Sequence, residues 1–321
     1  MQRNPFTGKL DSKFDESNYY VIEGSGFGVK NLQSIYENFD SLTGGVGALD
    51  VVNSGGVSLD SSIKYSGSKS IRCEFLIEDF PKIFAALQHP QKVYASFRVR
   101  YSGDPTYTNV WKFGRIGAGA IYSGIPHALS NFTAAEVSGW LPYSNGSVVA
   151  VASPANGSWS GNMTDTVNPN IVLGEWMTFQ YWFDAGTVGN SDFWFKEQQN
   201  DLVTSQWVDK EYLSTGGPSL PEWFITPMDG YPRNSALGAP PASLIGHMDE
   251  VYISQDPKYI VFSDTAILAN ATKTFVGNDF AWHDDKIWLA KNIGRFNVGD
   301  TVYCHIHNDS GAVAQVLELT L

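Results

Sequence analysis

The chain has 321 residues, enough for one large domain and a smaller one with a sizeable core. With 31 Gly, 15 Pro, 14% aromatic and only 17% charged residues, it suits many strands and turns rather than a helical bundle. A net charge of -12 argues against nonspecific binding to nucleic acid or anionic membrane and favours a cationic or neutral partner. Cys73 and Cys304 lie far apart and are expected as reduced thiols. The opening MQRNPFTGKLD lacks the apolar stretch of a signal peptide, and no run is long enough to insert in a bilayer. A soluble chain made in a cytoplasm is expected.

Residues 1–35 are polar and irregular and read as an N-terminal arm, with a turn over Arg3–Asp11 begun by Asn4-Pro5 and closed by Thr7-Gly8. From Tyr36 strand patterns begin. Ile71, Cys73 and Phe75 share one face against Arg72 and Glu74. In the run from Val93 to Tyr101, Val93, Ala95, Phe97, Val99 and Tyr101 oppose Tyr94, Ser96, Arg98 and Arg100. Residues 117–173 read as short strands and long loops. The run from Gly174 to Asp184 is the most strand-like in the chain. Met177, Phe179, Tyr181 and Phe183 point one way; Trp176, Thr178, Gln180, Trp182 and Asp184 point the other. A hairpin leads on to Ser191–Lys196, residues 213–244 read as one long loop, and Ile245–Ser254 is a clear strand. After Asp256-Pro257 a small β module, 257–321, ends in a hairpin of Val302–His307 and Ala312–Leu321.

Two resemblances follow. The start NPFTGKLD, Asn4–Asp11, resembles the N-terminus of many tailed-bacteriophage virion proteins, among them tail fibres, tailspikes and head or neck fibres. It implies a virion location, docking on other virion proteins, and a homo-oligomer, a trimer in the fibre case. Second, Gly67–Arg72, the long strands, Gly174-Glu175-Trp176 and His247–Ser254 are together similar to the concanavalin A-like lectin/glucanase jelly roll, over 36–256. That implies an all-β fold of two packed antiparallel sheets, one of them concave.

The candidate carbohydrate contacts are Tyr94, Arg98, Trp111, Gln180, Trp182 and His247. Indoles stack on pyranose faces, and guanidinium groups pair with sugar carboxylates. The competing roles are core filling for the Trp residues and pairing with Asp or Glu for Arg98. In the superfamily's lyases such Arg, Gln, His and Tyr side chains are implied to neutralise a uronate and abstract its proton. Here Arg98, Gln180, His127 or His247, and Tyr94 match in type, but the lyases' local strand motifs are missing. The family's hydrolytic run Glu-x-Asp-x-x-Glu is absent as well. Asp249 and Glu250, adjacent on a strand, are expected on opposite faces, so no paired-carboxylate glycosidase is expected. The resemblance also implies a structural calcium, with Asp40, Asp249 and the carbonyls near Gly44 and Gly45 as ligands. His305 and His307 share a strand face, and a half-exposed structural role is the expectation for them.

The resulting expectation is a phage structural protein displaying a lectin-like sandwich, for adhesion to host-surface polysaccharide or for virion assembly. A polysaccharide lyase on the same fold, or a cement protein that binds no glycan, are the alternatives.

Overall fold

The computed structural model describes residues 2–3, 10–11, 19–30, 34–45, 47–52, 56–74, 82–87, 92–103, 112–113, 115–118, 135–140, 149–154, 174–187, 190–199, 202–207, 223–229, 245–256, 258–291 and 294–321. The strands begin with β1 (Gln2–Arg3), β2 (Leu10–Asp11), β3 (Tyr19–Glu23), β4 (Ile35–Glu37), β5 (Asp50–Val52), β6 (Val57–Asp60), β7 (Ser70–Glu74) and β8 (Lys82–Leu87). Next come β9 (Lys92–Ser102), β10 (Lys112–Phe113), β11 (Arg115–Ala118), β12 (Ala135–Trp140), β13 (Val149–Pro154), β14 (Trp176–Thr187), β15 (Asn190–Gln199) and β16 (Leu202–Trp207). The last are β17 (Trp223–Asp229), β18 (Ile245–Ser254), β19 (Tyr259–Ser263), β20 (Thr274–Val276), β21 (Asp279–Trp282), β22 (Lys286–Ala290), β23 (Thr301–His307) and β24 (Val313–Thr320). Leu268–Asn270 forms a 3-10 turn, and no described helix is long and apolar enough to cross a membrane.

The chain forms two units. Tyr36–Ile253 holds two large sheets, one in the order β13-β12-β10-β17-β8-β5 with β11 also on β17. The other runs β16-β15-β14-β9-β18-β7-β6, with β4 also on β18. This is the expected all-β fold of two antiparallel sheets. Its core is the apolar face of β9 and β14. Val93, Ala95, Phe97, Val99, Met177 and Phe179 are wholly buried, and register sets Phe97 opposite Phe179 with ring centroids 5.9 Å apart. Ile71, Met248 and Val251 of the same sheet are equally buried, as is Ile83 of the other. Gly174, at φ 88°, turns the chain into β14, and its N–H donates to Tyr101 O at 2.7 Å.

One expected loop contains a strand. Within 213–244, β17 pairs with β8, β10 and β11. Pro227 hid the pattern: proline has no N–H to give a ladder, and it falls where the register with β8 shifts, between Ile225 and Met228.

The second unit joins both ends of the chain, Met1–Ile35 with Ser254–Leu321. The expected C-terminal hairpin is present as β23 and β24, in a sheet of order β20-β19-β23-β24. The segment expected as a separate arm supplies β3, the third strand of a sheet with β21 and β22. Lys30 secures it. Its ammonium, buried with the chain around it, lies 2.9 Å from Asp279 Oδ2 and donates to Ser34 Oγ and Lys258 O. Trp282 Nε1 donates to Phe27 O at 3.1 Å. A five-residue strand whose partner lies at the far end of the sequence has no local signature. The expected turn over Arg3–Asp11 is spanned by β1 and β2, which pair Gln2 with Asp11 and Arg3 with Leu10.

Candidate functional site

The polar face of the eight-stranded sheet is built by register. On β9 and β14, Arg100 stands opposite Trp176, Arg98 opposite Thr178, Ser96 opposite Gln180, and Tyr94 opposite Trp182. On β18 and β7, His247 stands opposite Arg72. Alternation alone would send Asp249 and Glu250 to opposite faces. The structure corrects that expectation. Glu250 adopts a left-handed φ of 48°, which interrupts the alternation, and both carboxylates reach the Tyr65-Ser66 segment.

The centre of this face is occupied by its own ion pair. Arg98 Nη1 donates to Thr178 Oγ1, its Nε lies 3.7 Å from Glu250 Oε2, and its guanidinium carbon sits 4.1 Å from the Tyr65 ring centroid. Glu250 Oε1 accepts from Ser66 Oγ. Asp249, wholly buried, accepts from Tyr65 N at 2.9 Å, Ser66 N at 3.2 Å and Glu250 N at 2.8 Å. Burial, and then the Glu250 charge, push its carboxyl up to about 8 against the pull of those N–H groups. Arg98 is therefore a paired, covered cation. Tyr94 is wholly buried against Tyr252, burial raises its phenol, and Gln180 is buried as well. Trp182 is placed on β14 by its backbone. Trp111 and His127 lie outside the described residues.

The two carboxylates expected to hold calcium, Asp40 and Asp249, are both hydrogen-bonded within the protein. Asp40 Oδ1 already accepts from Ser68 N at 2.5 Å, Ser68 Oγ at 3.0 Å and Lys69 N at 3.0 Å. Beside it the Lys69 ammonium donates to Leu42 O at 2.5 Å and Asp40 O at 3.2 Å. Gly67 allows this closeness, since a Cβ there would come within 1.9 Å of Asp40 Oδ2. Asp249 is engaged by backbone N–H groups, and no group of three metal-binding side chains occurs among the described residues. The ammonium ties the Asp40–Leu42 turn to the segment that carries Lys69. Chelator is expected to leave the melting temperature unchanged, while Lys69→Met should cost about 1–3 kcal/mol in urea unfolding by stranding two carbonyls. A chelator-induced fall in melting temperature would contradict this assignment.

His305 and His307 are structural. His305 Nε2 meets Ser263 Oγ at 2.7 Å; His307 Nδ1 meets Gly311 O at 2.9 Å and its ring stacks on Tyr259 at 4.1 Å.

A second row of the polar face is differently disposed. It comprises Trp176 opposite Arg100 on β14 and β9, and His247, Arg72 and Ser58 opposite one another on β18, β7 and β6; β9 and β18 are neighbours in the sheet, and the Arg100 charge is felt at His247. Arg72 is partly exposed and bonds Glu74 at 2.9 Å. His247 Nε2 lies 3.0 Å from Asp60 Oδ2. Burial works to raise the Asp60 carboxyl, but the hydroxyl and N–H of Ser62, with His247, hold it well below the usual range. His247 is lowered, first by burial and then by Arg100 and Arg72, against the opposing effect of Asp60. At neutral pH the imidazole is thus neutral. With Nε2–H given to the Asp60 carboxylate, Nδ1 is an acceptor. Arg100 Nε donates to Gly174 O at 2.6 Å. Sequence reasoning named Arg100 and Trp176 as face residues but had no means of joining them to His247, because that needs the β9–β18 neighbourhood.

No protein-family model matches the chain, and no curated protein matches it. Among solved structures it is similar to a PL-14 alginate lyase from Aplysia kurodai, at 9% identity and TM-score 0.49, covering 64% of this chain and 90% of that one. It is also similar to alginate lyase Aly36B, at 12% identity and TM-score 0.48, covering 70% and 97%. The lectin UEA-II complexed with galactose is similar at 12% identity and TM-score 0.42, covering 68% and 98%. What this chain binds is decided by its own side chains.

Proposed function

We propose that this chain is a structural protein of a tailed-bacteriophage virion, whose jelly roll holds a host-surface glycan on the polar face of its larger sheet. The observation that carries the glycan reading is the row of a half-buried indole, two guanidinium groups and a neutral imidazole on one sheet face. Indole and Arg together supply stacking and oriented donors, the two things a sugar needs from a rigid surface. The virion reading is supported by the NPFTGKLD start at Asn4–Asp11. Docking on other virion proteins and a homotrimer belong to that reading.

Two measurements test it. Purified particles should contain the protein, and its absence from them would sink the virion role. The isolated chain should be retained on a glycan array; a blank array would leave a cement role instead.

A lyase is the second reading, favoured by one observation. His247, buried on the strand next to that of Arg100, has one ring nitrogen held by Asp60 and is kept neutral by burial and the Arg100 charge. A base next to a cation is what proton abstraction beside a carboxylate requires. Incubation with alginate and other acidic glycans should then produce the ultraviolet absorbance of an unsaturated product. No absorbance across the panel would leave adhesion alone.

A further inference from the structure

The unit that joins both ends of the chain has one long open edge. Its four-stranded sheet runs β20-β19-β23-β24, so among the described residues β24 has a strand on one side only. The other strands that end this unit's larger sheets are short: three residues in β20, four in β21 and five in β3, against eight in β24. Shortness is one way a protein blunts an edge; lysine, proline and inward-pointing charge are others. β24, Val313–Thr320, carries no Lys, Arg or Pro, and its one charge, Glu318, lies on the exposed face.

The ladder fixes which backbone groups this edge offers. Leu321 donates its N–H to Asp300 O at 3.1 Å, and its O accepts from Gly299 N at 2.6 Å, so both its groups face inward. Alternation gives Leu319, Leu317 and Gln315 the same orientation toward β23 and turns the N–H and C=O of Thr320, Glu318 and Val316 away from it. The side chains of those three are exposed, Val316 at 42%. Leu317 and Leu319 stand opposite the buried Cys304 and Val302 yet are only half-buried, because the sheet ends with their strand.

β24 is also complementary to itself. Antiparallel pairing with a second β24 can be centred on Leu317. Each Glu318 then stands opposite Val316 of the other copy, and these two residues exchange their outward N–H and C=O groups. Leu317 meets Leu317, and Leu319 meets Gln315. Centring on Glu318 would instead set two acids face to face. Centring on Val316 would draw the irregularity beyond Gln315, where the register with β23 shifts, into the pairing.

We propose that two copies of this chain associate through β24, edge to edge and antiparallel about Leu317. The two sheets become one continuous sheet, and the half-buried Leu317 and Leu319 are covered. The contact lies in the unit that joins the chain ends and does not depend on the glycan reading. It is twofold, so a trimer that carries it joins a second trimer.

The test uses the full chain in solution. Sedimentation equilibrium from about 1 to about 100 μM should show an even-numbered species, dimer or hexamer, that falls to half its mass on dilution. Val316→Glu puts an acid opposite each Glu318 and should weaken this association roughly tenfold, whereas Val316→Lys puts a cation there and should keep or tighten it. Urea unfolding checks that both variants fold, as expected for an exposed side chain. Leu317→Cys should give a disulfide-linked dimer on mild oxidation, because position 317 meets itself and the native Cys73 and Cys304 are buried. A chain that stays monomeric or trimeric over the whole range overturns the pairing and leaves the edge to a strand of another protein. An even-numbered species that responds alike to the two Val316 variants and forms no cross-link overturns it as well.

Discussion

Arg98→Met is expected to lower unfolding stability by about 3–5 kcal/mol, the cost of removing one partner from a buried ion pair. The side chains of Arg98 and Glu250 are only 6% and 4% exposed, so solvent offers little relief. Removing the guanidinium leaves two carboxyls, Asp249 and Glu250, side by side without a cation, and removes the group on which the Tyr65 ring rests. Thr178 Oγ1 loses its donor too. The double variant Arg98→Met/Glu250→Gln should lose clearly less than the sum of the single changes, because it deletes both charges. Urea unfolding read by tryptophan fluorescence gives these values. A loss under about 1 kcal/mol for Arg98→Met would mean that the pair is solvated and weak.

The second large effect is a pH dependence carried by Asp249. Its carboxyl titrates at about 8 in the folded chain against 3.8 as a model group. The folded state therefore binds this proton more tightly than the unfolded state. Below about pH 4 both states hold it and nothing is lost. As pH rises from about 4 towards 8 the unfolded chain gives up the proton first, so the contribution of Asp249 falls by at most about 1.4 kcal/mol per unit. Above about 8 it stays constant. What sets this is burial, then the Glu250 charge on the same strand, opposed by the N–H groups of Ser66, Tyr65 and Glu250. Asp249→Asn keeps an acceptor for Tyr65 and Ser66 but carries no charge. Relative to the wild type it should gain stability, of the order of a few kcal/mol, between about pH 5 and about pH 8.5. A wild-type-minus-variant difference that does not change with pH would show that Asp249 is ionised throughout.

The two predictions concern residues that were legible to different degrees. Arg98 and its face were readable, because β9 alternates without interruption and one glance assigns its two sides. Its pairing with an acid was one of the two roles open from sequence. Glu250 was not readable. Its left-handed backbone is a response to what surrounds β18, and no residue type at that position announces it. Lys69 was equally hidden: in sequence it is one more polar residue in a turn, and only the approach of the Asp40–Leu42 carbonyls makes it a tether. β17 was missed because Pro227 sits inside it, and β3 because its partner β22 is remote.

By itself the sequence determined the all-β class, the boundary near Tyr36, the long strands β9, β14 and β18, and the terminal hairpin. These follow from a period of two, which is local and survives any packing. It also determined which side chains share a face within one strand. Tertiary structure alone decided which strands are neighbours, and so which faces combine into rows. It brought Trp176 and Arg100 of β14 and β9 beside the strands that carry His247 and Arg72, closed Arg98 against Glu250, turned Glu250 to the face that carries Asp249, and set Lys69 against the Asp40 and Leu42 carbonyls. The physical reason is that a site needs donors, acceptors and charges within a few ångströms of each other. That proximity depends on strand order and register, which side-chain alternation along a single strand does not encode.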